Sequence, residues 1–394
     1  MGAPSSTRSA RIDALRGLAV FGILLINVWG FVYGYTALRY GVIDASATSG
    51  DRLAVFFAAA FAEQKFYPIF AFLFGAGFSL QMRSLAEKSG LDEARAIYLR
   101  RLKWLLVVGL LHGTLLWFGD ILTAYALTGF WLLRRAGESW PVVRKSIRRA
   151  VIVNVGVLLL TAVIMATIAN MSEYGADTAA EALSANDVYT NGGWIEVTQS
   201  RINDFGMNIS GFWLFVPRIA LLFLLGVTAV QLGWLTHPED HRGLWRRILL
   251  AGVLIALPLN VWWGYEALSW ALDPETSSRT VHVASFVLEL AGPALAAAYV
   301  ALFMLAGERA VAFLTAWLAP VGRMALTNYL MQSVVCGVLL QAYGLGLGAV
   351  LSRAQLMLVC AAIMLTQIVV SRWWLATHDQ GPAEALWRRY TYRR

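Results

Sequence analysis

Residues 100–129, RRLKWLLVVGLLHGTLLWFGDILTAYALTG, are the stretch from which the rest of the chain is interpreted. Three cations open the stretch, and a long apolar run interrupted only by His112 follows them. The run ends at Gly119-Asp120, and a second apolar run begins at Ile121. This pattern predicts a tight transmembrane hairpin with an imidazole buried in its first arm and a carboxylate at its turn.

The composition indicates an integral membrane protein. The 394 residues are 58% hydrophobic and 14% charged, whereas soluble domains carry roughly 25% charged residues. The net charge of +8 reflects basic residues at the ends of apolar runs, which is the positive-inside pattern and no sign of nucleic-acid binding. The two cysteines, Cys336 and Cys360, lie within apolar runs, so we expect neither a disulfide framework nor a metal site.

The apolar runs and the charges of their loops predict an all-α helical bundle in a single domain, residues 1–394, with about ten transmembrane helices. Both termini, residues 1–16 and 372–394, are basic and are predicted to be cytoplasmic. The acidic segment 170–208 is predicted to form an extracytoplasmic lid. We expect broken or half helices near Pro68 and Pro320.

His112 is the first candidate for chemistry. It lies eleven residues after Arg101, roughly 16 Å along a helix and near the membrane midplane. Gly109 and Gly113 flank it and predict the close approach of another helix. His112 is either a general base or proton relay, or a neutral histidine that hydrogen-bonds between helices. Asp120 follows roughly 12 Å further on, too far for a direct hydrogen bond on a regular helix, and it is either a functional carboxylate or a helix cap.

A polar ribbon in the last third of the chain is the second candidate. The segment GRMALTNYLMQS, residues 322–333, places Arg323 after a proline and puts Asn328 and Gln332 one turn apart on an apolar helix. Such amides either hold helices together or line a cavity. With a half-helix and a guanidinium beside them, capture of an anion such as phosphate is the favoured interpretation.

Four ordered segments give the chain a family resemblance: RIDALRGLAVFGILLIN, the hairpin above, GRMALTNYLMQS, and GPAEALWRRYTY near the end. Together they resemble the bacterial YeiB-like membrane proteins, a family known as a domain of unknown function. That family is similar to the transmembrane acyltransferases, which include the acyltransferase-3 enzymes and heparan-α-glucosaminide N-acetyltransferase. The resemblance implies a multi-pass protein of the bacterial cytoplasmic membrane that moves an acyl group from cytoplasmic acyl-CoA to an extracytoplasmic acceptor such as a sugar.

At the level of single residues, the resemblance covers the arginine of the acyltransferase-3 pattern but not its histidine. Acyltransferase-3 proteins have an arginine in the first span and, after ten intervening residues, a histidine. Here Arg16 matches the arginine and Asn27 stands at the histidine position, where the heparan enzyme also has asparagine. His112, on another helix, would then be the base.

Two functions remain open from the sequence. In the first, an acyl-CoA donor binds near Arg16, Arg101 and Arg323, with Asn328 and Gln332 beside it. His112 and Asp120 then activate an acceptor beneath the lid, and Asn27 stabilises the oxyanion. In the second, the broken helices belong to a transporter or channel for a small anionic or lipid-like solute. The lipid bilayer is the expected surrounding, and a homo-oligomer is left open.

Overall fold

The computed structural model of the protein describes residues 5–44, 46–168, 174–274 and 279–392. Within these ranges the chain forms helices joined by loops, without a β-strand, so the predicted all-α fold is confirmed. Residues 1–4 and 393–394 of the predicted cytoplasmic ends, and residues 170–173 of the predicted lid, lie outside the described residues.

The helices of the first half of the chain are α1 Ser5–Tyr33, α2 Ser49–Phe57, α3 Phe66–Ser89, α4 Leu91–Leu115, α5 Leu122–Leu133, α6 Trp140–Ile168, α7 Tyr174–Asn191 and α8 Trp194–Ser210. Those of the second half are α9 Phe212–Gln231, α10 Arg242–Ala251, α11 Leu257–Leu272, α12 Arg279–Leu305, α13 Glu308–Arg323, α14 Ala325–Leu340, α15 Arg353–Leu375 and α16 Pro382–Thr391. A π-helical turn, Ala58–Ala62, follows α2 directly, and a second one, Gly252–Ala256, connects α10 to α11.

Much of the bundle is long and apolar enough to cross a membrane. Seven helical stretches of the described chain pass this test, and the pair α13 and α14, bent by 75°, adds up to one more. The long helix α6 leaves Ile152, Leu159 and Val163 more than 60% exposed, as expected for a face in contact with lipid. These helices identify a membrane protein. Helix α4 is charged in its first half and α5 has 12 residues, so neither of them passes this test. The count of ten spans stays a prediction, and so does the cytoplasmic position of the termini.

Helix α1 packs against α3, α13 and α14. Gly322 of α13 lies directly against the carbonyl oxygen of Asp13, so any side chain at position 322 would collide with the backbone of α1. Small residues allow this close packing, which replaces the missing hydrophobic driving force between helices in lipid. The first span is thereby held beside the polar ribbon of residues 322–333.

The chain breaks close to Pro68, as the sequence predicts. The interruption covers Glu63–Lys65, where Glu63 is extended and Gln64 has a φ of 60°. Pro68 itself lies in the first turn of α3, where a residue without an N–H group costs no helical hydrogen bond.

The break expected near Pro320 is confirmed and lies at Met324, where α13 and α14 meet at a bend of 75°. Helix α13 continues through Pro320 to Arg323, and the chain bends only at Met324. The carbonyls at the end of α13 find other donors, because Met324 N bonds to the oxygens of Pro320 and Val321 and Asn328 Nδ2 donates to Val321 O at 3.1 Å. With these bonds the last turn remains helical beyond the proline.

The acidic segment predicted as a lid contains α7 and α8, and α8 packs on α4. Arg201 of α8 is 1% exposed. It donates to Leu115 O at 2.6 Å and to Gln341 Oε1 at 2.9 Å, so it ties α8 to the end of α4 and to the loop after α14. A guanidinium buried against neutral acceptors satisfies polar backbone groups at a helix end.

Candidate functional site

His112 lies in the last turn of α4, between a carboxylate and a hydroxyl. Its Nδ1 atom is 2.8 Å from Asp120 Oδ1, and its Nε2 atom is 2.8 Å from Ser333 Oγ. The three residues are 2–3% exposed. The imidazole is therefore buried in this arm, as predicted, and it is hydrogen-bonded on both sides. We call the three side chains the Asp120–His112–Ser333 chain.

The loop between α4 and α5 brings Asp120 to His112. Helix α4 stops at Leu115, and the N–H groups of Leu116 and Trp117 both bond to His112 O. Beyond this tight turn, Trp117 is buried and its ring stacks on Phe31 at 4.4 Å. The chain then returns, and Asp120 faces α4 again.

The expectation that Asp120 lies too far from His112 for a hydrogen bond, which held only if the helix did not break at Gly119, is wrong for this structure. It assumed a regular helix as far as Gly119, and α4 ends four residues earlier. Asp120 also caps α5, because its Oδ2 atom accepts from Thr123 N and Thr123 Oγ1, each at 2.8 Å. The cap is therefore formed by one oxygen of Asp120, and the other oxygen faces His112; a functional role of this carboxylate stays a prediction.

The close approach predicted from Gly109 and Gly113 is confirmed. A Cβ atom at position 109 would lie 2.6 Å from Thr123 N and 2.9 Å from Asp120 Oδ2. At position 113 it would collide with the ring of Phe205 on α8. The absence of a side chain at these two positions lets α5 and α8 close around His112.

For a neutral imidazole beside an ionised carboxylate, the hydrogen bonds select one tautomer of His112. An ionised carboxylate only accepts hydrogen bonds, so Nδ1 carries the proton that faces Asp120. Nε2 is then the acceptor, and the Ser333 hydroxyl donates to it. A carboxylate, an imidazole and a hydroxyl in this order can raise the basicity of Nε2 and withdraw the proton of the hydroxyl.

Ser333 was not among the residues singled out from the sequence. The available signal was a hydroxyl in an apolar helix, directly after Asn328 and Gln332. Nothing in the sequence indicates that α14 meets α4 at the level of His112. Tyr329, one turn before Ser333, was also missed, and its ring lies 4.9 Å from the His112 ring, measured between centroids.

A basic cavity of about 320 Å³ begins at the Arg101 level of α4 and reaches Ile121 and Tyr329. Its lining includes the three arginines predicted from the sequence, Arg16, Arg101 and Arg323. Arg101 lies over the Trp387 ring at 3.9 Å and leaves its buried Nε atom without a partner among the described residues. The structure thus brings three guanidinium groups from three helices around one space.

The arginines of the basic cavity keep some of their donors free. Arg16 Nη1 pairs with Asp13 Oδ1 at 2.7 Å, and Arg323 Nη2 donates to Asp379 O at 2.9 Å. Each guanidinium offers five N–H donors in a planar fork. Glu384 also lines the cavity, but its oxygens accept from Leu326 N and Thr327 at the start of α14.

Asn328 and Gln332 lie elsewhere. Asn328 Nδ2 donates to Ser371 Oγ at 3.0 Å, and Gln332 Nε2 donates to Gln367 Oε1 at 2.9 Å. Neither amide lines the basic cavity. Both join α14 to α15 in this structure, the arrangement that the sequence offered as the alternative to cavity lining.

A second cavity, of about 490 Å³, lies on the other side of Tyr329. Asn27 and Asp120 line it, so the structure brings these two predicted residues together. Two paired charges also line it: Arg39 bonds to Glu63 at 3.0 Å, and Arg218 pairs with Glu289. Apolar side chains line it as well, among them Val157 and Met165 of α6. We call this space the amphiphilic cavity.

The two cavities meet at a thin wall. Ile23, Ile121 and Tyr329 line both of them. Asp120 lines the amphiphilic cavity, and His112 lies behind the ring of Tyr329. The Asp120–His112–Ser333 chain therefore adjoins the shared lining through Asp120 and Tyr329, while His112 and Ser333 themselves line neither cavity.

Relatives of the chain are found over almost its whole length. It is 32% identical over 410 residues to the uncharacterized protein YxaH of Bacillus subtilis (strain 168), with 98% of this chain and 95% of that protein covered. It is also 32% identical over 397 residues to the uncharacterized protein YeiB of Escherichia coli (strain K12), covering 98% and 97%. The family model described as protein of unknown function (DUF418) matches residues 229–394.

The chain belongs to the DUF418 (YeiB-like) family. The predicted resemblance to YeiB-like proteins is confirmed by these matches. The DUF418 match contains Arg323 and Ser333 but not His112 or Asp120, so the Asp120–His112–Ser333 chain joins the matched region to the first half. No solved structure matches the chain.

Proposed function

We propose that the protein is a membrane acyltransferase, which takes an acyl group from acyl-CoA in the basic cavity and passes it to an acceptor in the amphiphilic cavity. The observation that carries this proposal is the place of the His112–Asp120 pair beside the shared lining: Asp120 lines the amphiphilic cavity, and the His112 ring lies 4.9 Å from that of Tyr329, which lines both cavities. A general base at the meeting point of a donor space and an acceptor space is what acyl transfer requires.

The basic cavity suits the donor. Coenzyme A carries phosphate groups, and the guanidinium groups of Arg16, Arg101 and Arg323 bind phosphate through charge-assisted, paired hydrogen bonds. Towards the wall the lining becomes apolar, with Leu122 and Tyr125. A thioester and its acyl chain fit this end, while the phosphates stay at the arginines.

The amphiphilic cavity suits an acceptor with a hydroxyl or amine, such as a sugar. Its polar side offers the Arg39–Glu63 and Arg218–Glu289 pairs as hydrogen-bonding groups. Asn27 lies on the same lining as Asp120, and its amide is a donor for an oxyanion. Over the whole reaction the acceptor loses a proton with His112 Nε2 as the base, its oxygen or nitrogen becomes bonded to the acyl carbon, and the C–S bond of the thioester breaks. The CoA thiolate leaves and recovers the proton as a thiol.

A transporter is the second candidate, and one observation favours it. Two cavities separated by three side chains, beside helix breaks at Glu63–Lys65 and Met324, match a solute path closed at one point. A transporter of this kind would not bind acyl-CoA selectively at the arginines, and it would not transfer an acyl group from CoA to an acceptor.

Binding of the donor tests the proposal. Acetyl-CoA, palmitoyl-CoA and free CoA are added separately to the detergent-purified protein, and the melting temperature is followed against concentration. A ligand that binds only the folded state raises it with concentration. We expect a saturable rise that Arg323→Gln reduces.

Arg372→Gln is the matched control, because Arg372 also donates to a backbone carbonyl, Ala316 O, but does not line the basic cavity. This variant should keep the wild-type shift. A folded wild-type protein with no shift for any of the three compounds would contradict the donor site and place transport first.

A further inference from the structure

The hydroxyl of Ser333 occupies the basic nitrogen of His112 in this structure. With Nδ1 held by Asp120, Nε2 is the atom that accepts protons, and Ser333 Oγ lies 2.8 Å from it. An acceptor that is to be activated directly by His112 would first have to displace Ser333. The group best placed to lose a proton to His112 is therefore Ser333 itself.

The bond between Ser333 and His112 differs from the usual pattern of buried hydroxyls in this bundle. The buried hydroxyls of Thr128, Thr190 and Thr228 donate to the carbonyl four residues earlier on their own helix. Such bonds satisfy the hydroxyl locally and serve no other helix. Ser333 instead reaches across to α4. A serine that serves only to fill space has no need of this contact.

The lining that the two cavities share bears on the role of the Ser333 hydroxyl. Direct transfer needs the thioester and the acceptor in one space, whereas Ile23, Ile121 and Tyr329 separate the two cavities. Ser333 lines neither cavity, but Tyr329, one turn earlier on α14, lines both, so a movement of the Tyr329 ring would open the Ser333 hydroxyl to either side and allow a covalent carrier to act in two steps.

Tyr329 supplies a second, independent observation. It is 4% exposed, lines both cavities and lies one turn before Ser333 on α14. Its hydroxyl is close to Asp120 and the backbone of Ile121 but makes no well-formed hydrogen bond among the described residues. A buried O–H group without a partner is costly, and it is a ready donor for the oxyanion formed when Ser333 attacks a carbonyl.

We infer that Ser333 is the nucleophile of a two-step acyl transfer and carries the acyl group as an ester, an inference that rests on the proposed function. In the first step His112 Nε2 takes the Ser333 proton, Oγ bonds to the thioester carbon and the C–S bond breaks. The CoA thiolate leaves with the proton from His112. In the second step His112 takes a proton from the acceptor, whose oxygen or nitrogen bonds to the ester carbon. The C–Oγ bond breaks, and Ser333 recovers its proton.

The test is covalent labelling without acceptor. Detergent-purified protein is mixed with radiolabelled acetyl-CoA, quenched in acid and digested, and the label is located by mass spectrometry. We expect one acetyl group per chain on Ser333 of the wild type and none on Ser333→Ala. Ser333→Cys should become labelled as a thioester that hydroxylamine removes at neutral pH. Size-exclusion chromatography shows that each variant is folded.

Ser371→Ala is the control, because Ser371 is also fully buried and hydrogen-bonded across two helices, to Asn328. It should label like the wild type. Initial rates at several donor and acceptor concentrations give a second readout, for which a covalent carrier predicts parallel double-reciprocal lines.

The outcomes separate the two proposals. A wild type that transfers acetyl to a bacterial envelope extract without becoming labelled, or a Ser333→Ala variant that transfers at an unchanged rate, overturns the role of Ser333 and leaves the acyltransferase standing. A folded wild type that neither becomes labelled nor transfers acetyl overturns both.

Discussion

Tyr329 and Ser333 stand one helical turn apart on α14, and both contact His112 of α4. The Tyr329 ring lies 4.9 Å from the imidazole, and Ser333 Oγ lies 2.8 Å from Nε2. One helix thus contributes the side chain that separates the two cavities and the hydroxyl that bonds to the buried base. Small movements of α14 would change access to His112 and its hydrogen bonding together.

Asp120→Asn should separate the two roles of Asp120. An amide oxygen still accepts from Thr123, so the cap of α5 remains, whereas the amide NH₂ now donates to His112 Nδ1. Nε2 then carries the proton and no longer activates a hydroxyl, and we expect acyl transfer to fall by about 10²-fold or more. The melting temperature should stay close to that of the wild type.

Asp120→Ala is the comparison for that experiment, because it removes both roles. It should lose activity to a similar extent and also about 0.5–2 kcal/mol of stability from the lost cap. An Asp120→Asn variant with wild-type activity would refute the orientation of His112 by this carboxylate.

Gly109→Ala should damage the site through packing. The added Cβ meets Thr123 N and Asp120 Oδ2 within 3 Å, so α5 has to move away from α4. We expect a loss of about 1–3 kcal/mol and a fall in acyl transfer, measured as unfolding in detergent and as CoA release.

Gly156→Ala on α6 is the matched control for position 109, since nothing lies within 4 Å of its Cβ position. It should be neutral or stabilise the helix by up to about 1 kcal/mol. Equal effects at the two glycines would show that helix propensity, and not the approach of Asp120, governs position 109.

Glu63 should be important for stability. It accepts from Arg39 Nε at 3.0 Å, Tyr40 OH at 2.7 Å and Trp263 Nε1 at 2.9 Å, which ties the helix break to α11. Glu63→Ala leaves these donors without an acceptor, and we expect a loss of about 3–5 kcal/mol in detergent unfolding. Glu87→Ala breaks the exposed pair with Arg83 and should cost no more than about 1 kcal/mol.

Asp204 of α8 predicts a pH dependence of stability. Burial raises the pKa of its carboxyl group, although Tyr189 OH donates to it at 2.7 Å. A raised pKa means that the folded state binds the proton more tightly than the unfolded state. This contribution to stability is therefore present below the unfolded-state pKa of about 3.9 and is lost as the pH rises through the raised value.

Comparison of wild type and Asp204→Asn isolates that contribution. The melting temperature of the wild type should fall relative to the variant as the pH rises from about 3.9 through the raised pKa of Asp204. A constant difference between the two proteins at all pH values would contradict the raised pKa.

The sequence predicted which residues form the candidate site better than it predicted how they are arranged. His112 and the three arginines were identifiable because ionisable groups in apolar runs are costly and rare. The His112–Asp120 bond was not, because it depends on where α4 ends, and no proline or glycine marks Leu115 as that point. Ser333 depends on which face of α14 meets α4, which is a tertiary relationship that the spacing of polar residues does not contain.

The fold, like the site, was predictable in its elements and less so in its exact geometry. Helices follow from apolar runs, so the all-α bundle was predictable. The bend near Pro320 was predictable too, but it begins only at Met324 because side-chain and backbone donors complete the last turn of α13 beyond the proline. Whether a proline ends a helix depends on partners that the local sequence does not name.

The most direct test of the central claim is acetyl transfer by His112→Gln. Folded wild type and variant are reconstituted in proteoliposomes with radiolabelled acetyl-CoA and a bacterial envelope extract that contains free and lipid-linked sugars, and label in the acceptor fraction is measured with time. The account predicts transfer by the wild type and a rate lower by about 10²–10⁴-fold in the variant, with acetyl-CoA binding retained. Equal rates in both proteins, or no transfer by a wild type that binds acetyl-CoA, would contradict it.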